Sequence, residues 1–238
     1  MYVFKVSFAD TIIEIRCRYK RTMDYCEKYA ISSDPDFKVN ITDKDIDFEK
    51  DVMKGLGENV SDEFAEILAL HRLVSESLVD HNVLLMHGSA ISLDGNAVIF
   101  TAPSGTGKST HSKIWKKIFN DRVEYINDDK PFLKFVDEGI YVFGSPWNGK
   151  HKLGKNTHAP LKAIVWIKRG DINSIKKLDD PFELLLTQVY RPEDRFALLK
   201  MLDLMGRLID DIPFYELYCN MEDEAAMVSY QGIFGEQI

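Results

Sequence analysis

Apolar residues recur along this chain with two different spacings, which predict separate strands and helices. Alternating apolar and polar positions over residues 2–19 predict two antiparallel strands that turn at Ala9-Asp10. After Ser61, a good N-cap residue, apolar residues recur at helical spacing as far as Leu78. Further strands are predicted at 83–93, 97–101, 123–127, 132–136, 141–143, 161–167 and 214–219, and further helices at 108–119, within 181–209 and at 222–230. We therefore expect an α/β fold.

The amino-acid composition of the chain changes near residue 60. Residues 32–51 are acidic and rich in turn formers, with one short strand predicted at 37–41. We interpret residues 1–60 as an N-terminal strand hairpin and an acidic connector that pack on a core formed by residues 61–238. The predicted helix after Ser61 is expected to pack against the sheet of that core.

Composition narrows the class of protein. The chain has 238 residues, of which 45% are hydrophobic, so it is long enough to bury a substantial core. Its net charge of −8 argues against sequence-independent binding to nucleic acid, which depends on neutralising phosphates. No apolar run is long enough to cross a bilayer, and Cys17, Cys26 and Cys219 form no CxxC pair. We expect a cytoplasmic protein with reduced cysteines and no membrane partner.

The strongest chemical signal is a phosphate-binding loop. Residues 102–109, with the sequence APSGTGKS, fit the Walker A spacing with Ala102 in place of the first glycine. The strand predicted before this segment and the helix predicted after it give the context that the motif requires. Lys108 would bring a positive charge to the β- and γ-phosphates of a nucleotide, and Ser109 would offer a hydroxyl to Mg²⁺. The predicted nucleotide-binding residues are Ser104, Gly105, Thr106, Gly107, Lys108, Ser109 and Thr110.

A hairpin precedes this loop. Asp94-Gly95-Asn96 is a strong turn signal between the strands predicted at 83–93 and 97–101. Ordinary P-loop proteins have a parallel βαβ unit at this point, whereas here the loop leaves an antiparallel pair. The pairing makes His87 a neighbour of the phosphate site, and we expect it to face the γ-phosphate.

Two adjacent carboxylates follow the strand predicted at 123–127. Asp128 and Asp129 stand at a Walker B-like strand end, where one carboxylate would hold Mg²⁺ together with Ser109. The other would accept a proton from an attacking hydroxyl. The residues alone leave open which aspartate has which role, and a turn or N-cap function is the structural alternative.

The loop after residue 143 is rich in glycine and basic residues. It would close over phosphates, meet an acidic substrate or simply be solvated, and the sequence does not choose among these. Its basic members are Lys150, His151, Lys152, Lys155 and His158. Pro146 and Trp147 are candidates for packing on an adenine ring.

Several of these motifs together resemble a known group of enzymes. Four runs resemble the kinase-1 region of ATP-dependent phosphoenolpyruvate carboxykinase, namely Met86-His87-Gly88-Ser89-Ala90, Asp94-Gly95, Val98-Ile99-Phe100 and residues 104–110. Asp128-Asp129 resembles the kinase-2 motif of the same enzyme. HPr kinase/phosphorylase, which phosphorylates a protein serine, shares the same features. The resemblance implies a carboxykinase-like P-loop core in which a mixed, largely antiparallel sheet is flanked by helices.

The resemblance also implies roles for individual residues. His87 would contact the γ-phosphate or the metal, Lys108 would contact the nucleotide, and Asp128 would act as the base. Ser109 and Asp129 would bind Mg²⁺.

The chain departs from both families. It leaves no room for the large substrate domain of a carboxykinase, and Thr110 stands where HPr kinase usually has a glutamate, which puts phosphorolysis in doubt. What remains resembles short HPr-kinase-like proteins encoded near peptide-modification systems.

The expected function is therefore transfer of the γ-phosphate of ATP, with Mg²⁺, to a hydroxyl, with a serine of a peptide or protein as the favoured acceptor. A small-molecule kinase and a non-catalytic nucleotide-binding regulatory module are the alternatives. The sequence leaves open the identity of the acceptor and whether the chain forms a homo-oligomer.

Overall fold

The computed structural model describes residues 1–235 as two β-sheets with helices packed on them. The strands are Tyr2–Phe8 (β1), Thr11–Cys17 (β2), Phe37–Asn40 (β3), Val83–Leu85 (β4), Ser89–Leu93 (β5), Asn96–Thr101 (β6), Val123–Asn127 (β7), Phe132–Val136 (β8), Gly139–Phe143 (β9), His158–Arg169 (β10), Ser174–Lys177 (β11) and Phe214–Cys219 (β12). The helices are Lys20–Tyr25 (α1), Asp43–Gly55 (α2), Asp62–Val79 (α3), Lys108–Phe119 (α4), Phe182–Leu186 (α5), Arg195–Asp211 (α6) and Glu224–Phe234 (α7). The predicted α/β class is confirmed.

The larger sheet has nine strands and mixed directions. Seven of them follow the order β4-β8-β9-β10-β6-β5-β7, while β12 pairs with β10 and β11 pairs with β12. Only the β10–β6 and β10–β12 pairs are parallel, so the sheet is largely antiparallel, as predicted. The long strand β10 pairs with β9 through its first residues and with β12 through its last six.

Strand direction brings several chain segments to one edge of this sheet. β6 and β10 run parallel, with Trp166 opposite Thr101. β5 is antiparallel to both β6 and β7, so β7 runs in the same direction as β6. The segments that follow β6, β7, β10 and β12 therefore leave from the same edge, and the segment before β5 enters there. We call this edge the site edge.

Both faces of the sheet are buried, which explains the continuous apolar runs in its central strands. Along β6, Ala97 and Ile99 face a core cluster that contains helix α6. Val98 and Phe100 face a second cluster that contains α4 and α7. The period-two alternation of a strand thus places successive apolar residues in different cores.

The smaller sheet contains the N-terminal hairpin. β1 and β2 are antiparallel and turn at Ala9 and Asp10, whose φ angles of 48° and 54° suit a tight hairpin turn, as predicted. Buried residues of this sheet pack in one core with helix α3, with Phe132 of β8 and with Trp147 of the segment that follows β9. The predicted contact of α3 with the larger sheet is made at β4. The division at residue 60 stays a prediction about domains.

The acidic connector contains a helix that the sequence analysis missed. Helix α2 begins after Thr42, and Thr42 and Asp45 form a capping box in which each side chain accepts from the other's backbone. Only Ile46 and Glu49 of this helix are buried. The helix was missed because its first two thirds lie in the acidic, turn-rich stretch that was interpreted as a connector.

The strand predicted at 83–93 is also wrong, because the chain breaks into β4 and β5 at residues 86–88. Met86 donates to the carbonyl of Pro131 at 3.1 Å and Gly88 to that of Asp129 at 2.8 Å, so this segment pairs with the chain after β7. A Cβ on Gly88 would lie 2.6 Å from the Cγ2 of Ile99, which requires glycine there. The break turns His87 toward the site edge.

A buried carboxylate ties the N-terminal segment to helix α3. Glu66 is fully buried and accepts hydrogen bonds from the amides of Arg18 and Tyr19 and from the hydroxyl of Thr22. These donors stand at the start of α1, which has no side-chain cap of its own. A carboxylate is tolerated at such a depth because donors surround it.

The substitution Glu66→Ala should destabilise the protein by about 2–4 kcal/mol, because two amides and one hydroxyl would lose their buried acceptor. Urea denaturation measures the free energy of unfolding. Glu63→Ala on the exposed side of the same helix, where the carboxylate lies 3.6 Å from Arg21, is the matched control and should cost less than about 1 kcal/mol. Equal losses in both variants would contradict this assignment.

Two buried histidines should lower the stability of the protein in acid. Burial lowers the pKa of His71 and of His111 to about 3, far below the value of about 6.5 in an unfolded chain. Between these values the unfolded chain binds protons that the native protein does not. The free energy of unfolding should therefore fall as pH drops from about 6.5 toward 4, by up to about 1.4 kcal/mol per pH unit for each histidine.

The measurement is the urea midpoint as a function of pH for the wild type and for His71→Gln and His111→Gln. Each variant is expected to be less stable at neutral pH and to show a shallower loss on acidification. A slope that stays the same in both variants would contradict the prediction.

Candidate functional site

The predicted phosphate loop connects β6 to α4 at the site edge. Gly105 and Gly107 have φ angles of 77° and 129°, a region that favours glycine. Helix α4 begins at Lys108, as predicted, and its first amides have no partner within the helix. Such a helix start favours an anion.

The ammonium of Lys108 folds back into this loop. The residue is only 7% exposed, and its Nζ donates to the carbonyl of Ala102 at 2.9 Å and to that of Pro103 at 3.4 Å. Burial lowers the pKa of Lys108, and the charge of Asp129 acts in the opposite direction. A cation is thus held at the mouth of the loop by the loop's own backbone.

Gln188, which the sequence analysis did not identify, fixes the ring of His87. The Nδ1 of His87 lies 3.0 Å from the Oε1 of Gln188, and the amide of His87 donates to the Gln188 carbonyl at 2.7 Å. Because an amide oxygen only accepts, Nδ1 carries the hydrogen and Nε2 is left with its lone pair. Thr101 also donates to the carbonyl of His87, at 2.8 Å, which joins this segment to the end of β6.

Nε2 of His87 faces a carboxylate. It lies 3.6 Å from the Oδ1 of Asp129. Burial and the charge of Lys108 lower the pKa of His87, while Asp129 raises it. A neutral imidazole nitrogen and a carboxylate are both acceptors, so their approach favours a cation or a hydrogen-bond donor between them.

A turn at Asn127 directs the side chains of Asp128 and Asp129 into different surroundings. The Oδ1 of buried Asn127 accepts from the amides of Asp129 at 2.8 Å and Lys130 at 2.6 Å, which bends the chain just after β7. Asp129 then faces His87, whereas Asp128 is 4% exposed and accepts from the amide of Gly149 at 2.9 Å. Both carboxylates lie at the site edge, but they have different surroundings.

The site contains oxygen donors that suit Mg²⁺. Ser109 is half-buried at the start of α4, and the carboxylate of Asp129 lies near Lys108 and His87. Within residues 1–235, no group of three or more His, Cys, Asp or Glu side chains is arranged to hold a metal ion. Mg²⁺ that binds together with nucleotide phosphates needs only one or two carboxylates and completes its shell with phosphates and water. The hydroxyl of Ser109 and the carboxylate of Asp129 are therefore ligands of the kind that this ion uses.

Arg169 is a further residue of the site that the sequence analysis missed. It ends β10, and its Nη2 donates to the carbonyl of Gly105 at 2.6 Å. A cleft of about 600 Å³ lies beside it, between the phosphate loop and the ends of β10 and β12. The cleft is lined by Gly105, Thr106, Gly107, Thr110, His111, Ile114, Ile167, Arg169, Gly170, Asp171, Cys219, Asn220 and Met221. The parallel pairs β6–β10 and β10–β12 bring the strand-end residues of this lining to the loop.

The predicted basic loop divides into parts with different surroundings. Lys155 pairs with Glu124 at 3.0 Å, and His158 stacks on Phe143 as the first residue of β10. Lys150 and Lys152 are exposed and belong to the turn whose Gly149 amide donates to Asp128.

The expectation that Trp147 packs on adenine is wrong. The ring is 5% exposed and lies in the core shared with the N-terminal sheet, 5.7 Å from Phe8 and 5.0 Å from His71.

No protein-family model and no curated protein matches this chain. Among solved structures, the HPr(Ser) kinase/phosphatase from Coxiella burnetii is similar, with a TM-score of 0.31 and 14% identity over 52% of this chain and 90% of that chain. No helix within residues 1–235 has the length and apolar character to cross a membrane.

Proposed function

We propose that this protein is an ATP- and Mg²⁺-dependent phosphotransferase that transfers the γ-phosphate to a hydroxyl, with a serine of a peptide or protein as the preferred acceptor. The observation that carries the proposal is the meeting of three elements at the site edge. These are the loop with buried Lys108, the facing pair His87 and Asp129, and Asp128 beside Gly149. Phosphoryl transfer needs a phosphate cradle, a divalent ion and a group that receives the acceptor proton.

The loop and the cleft would hold the nucleotide. The phosphates lie over the amides of Gly105, Gly107 and Lys108, and the Lys108 ammonium exchanges the carbonyls of Ala102 and Pro103 for phosphate oxygens. The nucleoside occupies the cleft beside Arg169. The apolar wall of this cleft includes Ile114 and Ile167. Ser104, Thr106, Ser109 and Thr110 complete the predicted nucleotide-binding set.

Ser109 and Asp129 would hold Mg²⁺, which neutralises charge on the β- and γ-phosphates when bound. His87 presents its Nε2 at the same place, in the ring orientation that Gln188 fixes by accepting from Nδ1. His87 would contact the metal through its Nε2 lone pair, or the γ-phosphate when the ring is protonated.

Asp128 would receive the proton of the acceptor. The amide of Gly149 holds its Oδ1, which leaves Oδ2 for the substrate hydroxyl. As the acceptor oxygen forms its bond to the γ-phosphorus, the bond between that phosphorus and the β–γ bridging oxygen breaks, and the hydroxyl proton passes to Asp128. ADP and a phosphate ester are the products.

Transfer of labelled γ-phosphate to a panel of serine peptides and small alcohols tests the proposal. Label on serine peptides supports it. Label on small alcohols alone identifies a small-molecule kinase instead, and ATP binding without transfer or hydrolysis identifies a nucleotide-binding module.

Lys108 and Asp128 should give different kinetic losses when they are substituted. Lys108→Ala should weaken ATP binding by at least about tenfold, because the lysine contacts ground-state phosphate. Asp128→Asn keeps an oxygen for the Gly149 amide, so it should leave the Kd for ATP nearly unchanged and lower transfer by about 10²–10³-fold. Calorimetry and transfer assays measure the two effects, and an equal loss of binding in both variants would contradict this division of roles.

Arg169→Ala tests the nucleoside cleft. If Arg169 contacts the nucleoside, the variant should bind ATP about tenfold more weakly but bind inorganic tripolyphosphate almost as well as the wild type. Lys162→Ala, an exposed lysine on the same strand, is the control. Equal losses for ATP and tripolyphosphate would show that Arg169 only shapes the loop.

A further inference from the structure

A basic turn lies next to Asp128. The amide of Gly149 donates to the carboxylate of Asp128 at 2.9 Å, and the amide of Lys152 donates to the carbonyl of Gly149 at 3.0 Å. Lys150 and His151 are therefore the central residues of a turn whose first amide holds the proposed base. Lys150, His151 and Lys152 are all exposed.

Helix α4 contributes a third lysine to this surface. The Nζ of Lys113 lies 2.9 Å from the Nε2 of His151. An ammonium only donates, so His151 accepts from it. Lys113 follows Ser109 by one helical turn and lies on the same face of α4. The turn thus spans the distance between Asp128 and the face of α4 that carries Ser109.

Three positive charges are therefore concentrated beside the place where transfer is proposed. Neighbouring lysines are neutralised, since Lys117 pairs with Asp223 at 2.7 Å and Lys155 with Glu124 at 3.0 Å. In the part of the chain that the structure describes, no carboxylate forms an ion pair with Lys113, Lys150 or Lys152. This concentration of charge occurs in a protein whose net charge is −8.

The order of the strands places these lysines on the acceptor side. Along the site edge the order is β12, β10, β6, β5 and β7. The cleft proposed for the nucleoside lies at the ends of β10 and β12, and Asp128 follows β7 on the opposite side of the phosphate loop. A nucleotide seated in the cleft leaves the β7 side open to the acceptor.

We propose that the acceptor is an acidic peptide or protein segment, with carboxylates close to the hydroxyl that is phosphorylated, and that Lys113, Lys150 and Lys152 bind those carboxylates. This inference rests on the proposed function. The nucleotide phosphates are a weaker candidate for these lysines, because the loop amides and Lys108 already serve them on the other side of Asp128. Charges at the rim of a binding site mainly affect the rate at which a charged partner is encountered and the affinity with which it binds before the reaction.

The test compares two serine peptides of equal length, one with glutamates and one with lysines around the serine. The wild type should have the lower KM for the acidic peptide, and added salt should reduce the difference. Lys150→Glu/Lys152→Glu should raise that KM by about tenfold, lower the KM for the basic peptide and change the KM for ATP less than about twofold. Lys44→Glu/Lys54→Glu on helix α2 makes the same change in net charge at exposed positions and should change none of these values.

Two outcomes would overturn the inference while the proposed function stands. One is equal KM values of the wild type for the two peptides. The other is a tenfold rise in the KM for ATP in the Lys150→Glu/Lys152→Glu variant, which would assign these lysines to the nucleotide.

The absence of transfer to either peptide would count against the proposed function alone. In that case fluorescence anisotropy with labelled peptides and a non-hydrolysable ATP analogue still tests the lysines. Preferential binding of the acidic peptide that the double substitution abolishes would support the inference, and equal binding of both peptides would overturn it.

Discussion

The parallel pairing of β6 with β10 is the constraint on which the site depends. Two parallel strands end at the same edge of a sheet, and the register that sets Trp166 opposite Thr101 brings Arg169 to the carbonyl of Gly105. Both faces of these strands are buried, so a slip of one residue would place each apolar set in the core that is packed around the other set. The same packing that stabilises the core therefore positions the polar groups that follow each strand.

The groups at this edge divide by hydrogen-bonding character. Lys108 and Arg169 are cations that donate to backbone carbonyls of the phosphate loop. On the β5 and β7 side, His87 and Asp129 face each other as two acceptors. A ligand that brings an anion to the first pair and a cation to the second would satisfy both. A nucleotide phosphate with a bound divalent cation has this pattern of charge.

Local signals made part of this site predictable from the sequence. The turn at residues 94–96, the glycines of the loop and the start of α4 at Lys108 each depend on nearby residues, and all were predicted correctly. Arg169 and Gln188 depend on pairing with segments more than sixty residues away, which periodicity does not report. The break at residues 86–88 was missed because a run of buried apolar residues looks the same in one strand as in two.

The N-terminal segment contacts the side of the site that carries Asp129 and the basic turn. Glu66 fixes the start of α1, and Tyr25 at the end of that helix lies close enough to Asp129 to sense its charge. Burial, with smaller contributions from Cys26 and Asp129, raises the pKa of Tyr25 to about 12. Asn156, from the segment that carries the basic turn, donates to the carbonyl of Lys28 at 2.9 Å. Because Tyr25 and Lys28 both reach the β7 side of the site edge, a change in the N-terminal segment would alter the surroundings of Asp129 and of the basic turn more than those of the cleft beside Arg169.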